Sequence, residues 1–172
     1  CPGGGYGFVS PREDQPVAME FLAAGCQVFS LHYSVAPETF PVALMELAKA
    51  VALVKKHACE WNIDTERIMV CGFSAGGHLA ACLGMMWNRE FLYGPLNAAP
   101  EDTPRTFLWH TWTDQSVPAE NSLLLAQALK KAGVSLEMHI YPSGRHGLSL
   151  ATEEVSDSTG DCLVPHCQGW ME

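Results

Sequence analysis

Hydrophobic and polar positions along the chain form patterns that are typical of helices and of strands, and the two kinds of pattern alternate. Between residues 41 and 61, apolar side chains recur at spacings of three and four, which is the pattern of one face of a long helix. Related patterns predict helices over residues 16–25, 75–87 and 119–132. Pro16 lies at the start of the predicted helix 16–25, where proline is common. Gly25 and Gly133 lie at the ends of the predicted helices 16–25 and 119–132, where helices commonly stop.

Four runs of apolar and β-branched residues lie outside the predicted helices, three of them between helices and one after the last helix. They predict strands over residues 27–33, 68–72, 106–111 and 136–141. The run 68–72 is continuously apolar, as expected for a strand buried on both faces of a parallel sheet. Alternation of helices and strands indicates an α/β fold with a mostly parallel sheet and helices on both faces.

The remaining segments predict loops around a single core. Residues 1–10 hold four of the fifteen glycines, and residues 151–169 are acidic and loop-like. The chain has 172 residues, of which 48% are hydrophobic and 17% charged, so it has enough apolar side chains for a core. We expect one domain over residues 1–172.

Charge, hydrophobic runs and cysteine content narrow the possible partners and the cellular location. A net charge of −9 would repel phosphate backbones, which argues against nucleic acid as a partner. No run approaches the roughly 20 apolar residues that cross a membrane. Seven cysteines without paired spacing favour reduced thiols and a cytoplasmic location. Cys1 in place of Met indicates a shortened N-terminus more strongly than the processed cysteine of a lipoprotein.

The most informative motif is Gly72-Phe-Ser74-Ala-Gly76, which lies between the predicted strand 68–72 and the predicted helix 75–87. Small residues two positions before and after a serine allow a strained strand-to-helix turn that presents its hydroxyl group. This placement predicts that Ser74 is a nucleophile. The alternative is a glycine-rich turn that binds nothing, or binds a phosphate group.

A serine nucleophile needs a base and an acid that orients it. Asp114 follows the predicted strand 106–111, and His146 follows the strand 136–141. Carboxyl ends of parallel strands share one edge of a sheet, and the chain order Ser, Asp, His is that of α/β-hydrolases. We therefore predict that Asp114 is the acid and His146 the base.

Other residues compete for these two roles. Glu120 is an alternative acid, although a carboxylate in the first turn of a helix is explained by the helix dipole. Three histidines are expected to be packed or hydrogen-bonded rather than catalytic: His78, His110 and His139.

Acyl transfer also needs backbone N–H donors for the developing oxyanion. The residue after the nucleophile, Ala75, supplies one, and the segment 2–6 (PGGGY) is suited to supply another. The alternative for this segment is a frayed glycine-rich terminus. No metal-ligand spacing such as HExxH or CxxC occurs, so we expect neither a metal nor a cofactor.

Successive motifs resemble one family: PGGGY, FLAAGCQVFSLHYSVAP, EWNIDTERIMVCGFSAGGHLAA, TFLWHTWTDQSVPAENS and HIYPSGRHGLSLA. Over residues 1–151 the chain resembles α/β-hydrolase fold serine esterases of the acetyl-xylan esterase and bifunctional feruloyl/acetyl esterase type, many from gut and soil bacteria. The resemblance implies hydrolysis of short acyl esters, notably acetyl groups on sugars or xylan-derived oligosaccharides, without a cofactor. It matches Ser74, Asp114 and His146 to the triad and Gly4, Gly5 and Ala75 to the oxyanion hole. A homo-oligomer is a further possibility.

The chain departs from this family in three places. Family members have about three strands before the PGGGY segment. Residues 88–105 are too few for the βαβ unit expected there, and the chain stops at residue 172, before a closing helix. We therefore expect an incomplete α/β-hydrolase domain.

Three functions fit these motifs. The leading hypothesis is a serine carboxylesterase that works through an acyl-enzyme. A serine peptidase of the prolyl-oligopeptidase type has the same triad but carries an added gating domain. A degenerate or fragmentary hydrolase domain without catalysis is the third, because a triad works only when held to within about half an ångström.

Overall fold

The computed structural model describes residues 1–96 and 103–171. It divides into two compact units, Cys1–Thr103 and Pro104–Glu172. The expectation of one domain over residues 1–172 stays a prediction. None of the helices within the described ranges has both the length and the apolar content of a membrane-spanning segment.

The first unit is helical. Its α-helices are α1 (Gln15–Ala23), α2 (Val42–Lys56), α3 (Ala75–Met86) and the short α4 (Glu90–Tyr93). Three 3₁₀ turns accompany them: Pro11–Glu13, Thr65–Arg67 and Gly94–Leu96. The predicted helices 16–25, 41–61 and 75–87 are confirmed, although α2 ends at Lys56. Part of the segment 88–105 forms α4, while residues 97–102 lie outside the described ranges.

Helices α2 and α3 pack against each other through the apolar faces that their spacing predicts. The α2 positions three and four residues apart, Leu44, Leu47 and Ala48, are at most 4% exposed. Leu79 and Leu83 of α3 are also buried in this cluster. Removal of these side chains from water is the main term that stabilises this unit. The packing fixes α3, the helix that begins directly after Ser74.

Two predicted strands are wrong. Residues 27–33 and 68–72 are not β-strands in the part of the chain that the structure describes. A strand exists only where its N–H and C=O groups form a ladder with a neighbouring strand, and apolar sequence alone does not supply that neighbour. At the end of the second segment, Cys1 N donates to Cys71 O at 2.9 Å, and Phe73 N donates to Cys1 O at 3.1 Å. These two bonds hold the start of the chain beside the residues that precede Ser74.

The second unit contains a parallel pair of strands, β1 (Thr106–Thr111) and β2 (Leu136–Tyr141). Thr106 pairs with Leu136, and the register runs without a bulge to the pair of Thr111 with Tyr141. Helix α5 (Glu120–Lys131) connects the strands and contacts both. The predictions for 106–111, 136–141 and 119–132 are confirmed.

The rest of the second unit follows β2 and is largely irregular, as predicted for residues 151–169. It contains two short 3₁₀ turns, Glu153–Val155 and Pro165–Cys167. Because β1 and β2 run parallel in register, the segments that follow them leave from the same end of the pair. Asp114 and His146 belong to these two segments.

Candidate active site

Ser74 sits in a strained backbone conformation at the start of α3. Its φ is 50° and its ψ is −120°, a combination that residues with a Cβ rarely adopt. Ala75, the first residue of α3, follows directly. This is the strained turn that the GxSxG motif predicts, in which a serine hydroxyl is lifted away from the backbone around it.

Gly72 and Gly76 make the turn around Ser74 possible, because each is crowded by backbone. A Cβ atom on Gly72 would lie 2.1 Å from Gly76 O, and one on Gly76 would lie 2.0 Å from Cys1 O. Both distances are far below any real contact of a Cβ atom. The two glycines of the motif are therefore required by packing within the turn and against the start of the chain.

The segment 2–6 (PGGGY), called the glycine-rich loop below, is folded tightly. Gly4 has a φ of 125°, and a Cβ there would lie 2.0 Å from Phe8 O. Tyr33 donates from its hydroxyl group to Pro2 O at 2.8 Å, and this bond is buried. The loop is therefore a fixed structure and not a frayed terminus.

Three backbone N–H groups were predicted as oxyanion donors, those of Gly4, Gly5 and Ala75. Within residues 1–96 and 103–171, none of the three donates a hydrogen bond to a protein acceptor. Unused backbone donors are the groups that bind a developing negative charge. Their availability fits the predicted role.

In the second unit, Asp114 and His146 form a hydrogen-bonded pair. Asp114 Oδ2 lies 2.7 Å from His146 Nδ1. The carboxylate can only accept, so Nδ1 donates its proton, which places the lone pair of the neutral ring on Nε2. The prediction that these two residues meet at the ends of β1 and β2 is confirmed; their catalytic roles remain proposals.

The surroundings of Asp114 keep it ionised. Its side chain is 6% exposed, and its Oδ1 accepts from Ser116 N at 2.8 Å and from Val117 N at 2.9 Å. Burial alone would raise the pKa of Asp114, but the hydrogen bonds from Val117, His146 and Ser116 together hold this pKa below its usual range. An ionised carboxylate fixes the tautomer of His146 and stabilises the imidazolium form.

The loop that carries His146 is anchored to two threonines at the end of β1 and just after it. Thr113 Oγ1 donates to Gly144 O at 3.1 Å and accepts from Gly144 N at 3.0 Å. Thr111, the last residue of β1, donates to the same carbonyl at 3.0 Å. Neither threonine is predicted from the sequence, because a threonine at or just after the end of a strand carries no signal for such a contact.

The competing residues make structural contacts. His110 bonds Ser122 Oγ through Nδ1 at 2.7 Å and Val117 O through Nε2 at 2.9 Å, so both ring nitrogens are hydrogen-bonded. Its Nε2 also lies 3.5 Å from Asp114 Oδ2, farther than the 2.7 Å between that oxygen and His146 Nδ1. His139 Nε2 lies 2.9 Å from Glu137 Oε1 on an exposed part of β2. Glu120 is exposed at the first position of α5, as its helix-dipole explanation predicts.

His78 lies in the first unit, one turn into α3. Its Nδ1 is 2.8 Å from the hydroxyl oxygen of Tyr6, and the two rings meet edge to face. The sequence predicts a packed or hydrogen-bonded histidine at this position, and this is confirmed. Among the described residues, no group of three or more His, Cys, Asp or Glu side chains is arranged to hold a metal ion.

Comparisons with known proteins place the chain among hydrolases. A family model for the alpha/beta hydrolase fold matches residues 2–122, and one for the prolyl oligopeptidase family matches residues 92–160. An endo-1,4-beta-xylanase B of Butyrivibrio fibrisolvens is 27% identical, with 89% of this chain and 32% of that protein covered. An acetylxylan esterase of Xylanibacter ruminicola is 24% identical, with 88% of this chain and 40% of that protein covered.

Solved structures are similar as well. The crystal structure of an acetyl ester-xyloside bifunctional hydrolase from Caldicellulosiruptor lactoaceticus is 37% identical and has a TM-score of 0.76. The match covers 87% of this chain and 73% of that one. By contrast, the chain spans only 32% and 40% of the length of the two curated relatives.

Proposed function

Because this chain belongs to the α/β-hydrolase family, we propose that it is a serine esterase that cleaves short-chain carboxylic esters, with Ser74, His146 and Asp114 as its triad. The observation that carries the proposal is the strained conformation of Ser74 directly before α3. Strained backbone of this kind clusters at active sites, and a strained turn directly before a helix is the geometry that presents a nucleophilic serine. The Asp114–His146 pair supplies the base that such a serine requires.

The proposed reaction has two half-reactions. Ser74 Oγ attacks the ester carbonyl while His146 Nε2 takes the hydroxyl proton, and the resulting oxyanion binds N–H groups of Gly4, Gly5 and Ala75. The C–O bond to the alcohol breaks as His146 returns the proton to the departing oxygen, leaving an acyl group on Ser74. Water then attacks the acyl-enzyme with His146 again as base, which releases the acid and restores the serine.

We propose acetyl esters of sugars or xylan-derived oligosaccharides as the substrate class. Two similar proteins carry names of this chemistry, the acetylxylan esterase of Xylanibacter ruminicola and the acetyl ester-xyloside hydrolase. Acetyl is the smallest common acyl group of natural esters, so a small acyl-binding site suffices. Release of acetate from acetylated xylo-oligosaccharides, measured against p-nitrophenyl butyrate hydrolysis, tests this preference.

A serine peptidase of the prolyl-oligopeptidase type is the second candidate. The observation that favours it is the family match over residues 92–160, a segment that contains both Asp114 and His146. That match covers less than half of the chain and lacks Ser74, whereas the alpha/beta hydrolase match covers residues 2–122, with both the Ser74 turn and Asp114. The esterase is therefore the better supported of the two.

Hydrolysis of p-nitrophenyl acetate by the chain, compared with its Ser74→Ala variant, tests the proposed function. The variant is essential as a control, because exposed histidines and lysines also cleave this activated ester slowly. Turnover that depends on Ser74 supports an esterase. Ser74-dependent cleavage of a prolyl p-nitroanilide without acetate hydrolysis would assign a peptidase instead, and no Ser74-dependent turnover of either substrate would indicate a degenerate hydrolase.

Asp114→Asn should lower kcat by about 10³- to 10⁴-fold, because the amide no longer holds Nδ1–H of His146 and the ring adopts the wrong tautomer. Steady-state kinetics with p-nitrophenyl acetate measure the effect. Glu120→Gln is the matched control and should stay near the wild type. Near-wild-type activity of the Asp114 variant, with a large loss in the Glu120 variant, would move the acid role to Glu120.

A further inference from the structure

Glu13 is a buried acidic residue that the proposed reaction does not use. It ends the 3₁₀ turn Pro11–Glu13 and is only 5% exposed. A carboxyl group is stable in such a place only where hydrogen bonds replace the lost water. Glu13 Oε2 accepts a buried hydrogen bond of 2.8 Å from Gly3 N–H, so its partner is the glycine-rich loop.

Gly3 fills the narrow space between Glu13 and the nucleophile turn. A methyl group built on Gly3 Cα would lie 2.7 Å from Glu13 Oε2 and 2.8 Å from Ser74 Cβ. The Glu13 carboxyl group and the Ser74 side chain therefore flank the same glycine. A shift of the loop at Gly3 would change the position of the oxyanion donors relative to the serine.

Hydrogen bonds tie three successive peptide groups of this loop. Glu13 accepts from Gly3 N, Ser10 N donates to Gly3 O at 3.0 Å, and Gly7 N donates to Gly4 O at 3.0 Å. In a planar trans peptide, the C=O of one residue and the N–H of the next point in opposite directions. The hydrogen bonds that Gly3 O and Gly4 O accept therefore fix the directions in which the N–H groups of Gly4 and Gly5 point.

We propose that Glu13 is a positioning residue of the oxyanion hole. Its carboxyl group accepts the hydrogen bond from Gly3 N–H and so fixes the first peptide group of the loop. The N–H groups of Gly4 and Gly5 then face the substrate oxygen. This inference rests on the proposed esterase function, which gives the two donors their task. The role needs a hydrogen-bond acceptor and not a charge, since a full negative charge close to an oxyanion would oppose its formation.

Substitution of Glu13 by alanine or by glutamine in the full chain separates the role of the hydrogen-bond acceptor from the role of the charge. Glu13→Ala removes the acceptor and should lower kcat for p-nitrophenyl acetate by about 30- to 100-fold, since loss of a whole oxyanion donor costs about 10²- to 10³-fold. KM should stay within about threefold, because the donors act mainly in the transition state. Glu13→Gln keeps an acceptor oxygen and should recover kcat to within about fivefold of the wild type.

Two measurements separate positioning from a general loss of folded protein. Rates are expressed per Ser74 site that a fluorophosphonate can titrate, so unfolded molecules do not count. Hydrogen exchange of peptides covering residues 1–9 reports on the loop itself, and Glu13→Ala should speed this exchange while Glu13→Gln should not. Glu20→Ala, which removes an exposed carboxylate of α1, is the matched control for both measurements.

The outcomes distinguish this inference from the proposed function. An active wild type with unchanged kcat and loop exchange in Glu13→Ala would overturn the role of Glu13 alone. Equal losses in the alanine and glutamine variants would also overturn it, because an acceptor would then not suffice. If Glu13→Ala does not fold, faster loop exchange in Glu13→Gln overturns the inference and unchanged exchange supports it. A wild type without Ser74-dependent hydrolysis would remove the esterase function and the oxyanion role with it.

Discussion

Ser74→Ala should lower kcat for p-nitrophenyl acetate by about 10⁵- to 10⁶-fold, to the level of background hydrolysis. Without Oγ no acyl-enzyme forms, and the remaining groups only bind the ester and its oxyanion. The loss of a single oxygen leaves the α3 packing intact, so the far-ultraviolet circular dichroism spectrum should not change.

Ser30→Ala is the control for this substitution. Ser30 is an exposed serine of the same unit that hydrogen-bonds Asp14, so its removal deletes a hydroxyl group without touching the Ser74 turn. We expect wild-type kcat in this variant. If Ser74→Ala keeps more than about a hundredth of the wild-type rate, another residue carries the nucleophile's role.

His146→Ala should lower kcat by about 10⁵- to 10⁶-fold, because the serine hydroxyl then loses the base that takes its proton. His78→Ala is the matched comparison, since His78 bonds Tyr6 and not Asp114. We expect that variant to keep kcat within about tenfold of the wild type. Similar losses in both variants would leave the base unassigned, and a larger loss in the His78 variant would contradict the assignment of His146.

The strands and the helix of the second unit could be predicted from the sequence to within a residue of their bounds. Strands β1 and β2 have the predicted bounds, because each is a short apolar run that finds a parallel neighbour through the α5 connection. Residues 27–33 and 68–72 carry equally strong patterns and still form no strand within the described part of the chain. The difference lies in ladder partners, which are a tertiary property that local pattern does not contain.

The motif around Ser74 was predictable because small residues flank a serine between an apolar run and a helical pattern. Gly72 is crowded by Gly76 O within the motif, and Ser74 alone adopts the strained φ between the two glycines. The contact of Gly76 with Cys1 O, by contrast, is visible only in the structure. The Asp114–His146 contact was predictable from chain order and parallel topology.

Glu13 could not have been found in this way. It lies in a polar run beside Arg12 and Asp14, and nothing local indicates that its side chain alone of the three is buried. Its burial depends on Gly3, a partner ten residues away in a loop whose path is set by Cys71 and Tyr33. The burial of this carboxylate is a tertiary property of the folded loop, so the local sequence does not predict it.

Covalent labelling with a fluorophosphonate, followed by peptide mass spectrometry, identifies the nucleophile directly. If Ser74 is the nucleophile of a serine esterase, the reagent adds once per chain, the adduct lies on Ser74, and Ser74→Ala abolishes it. His146→Ala should slow the labelling by several orders of magnitude, because the same base activates the serine toward phosphorus and carbonyl carbon. An adduct on another residue, or labelling that persists in Ser74→Ala, would show that Ser74 is not the nucleophile.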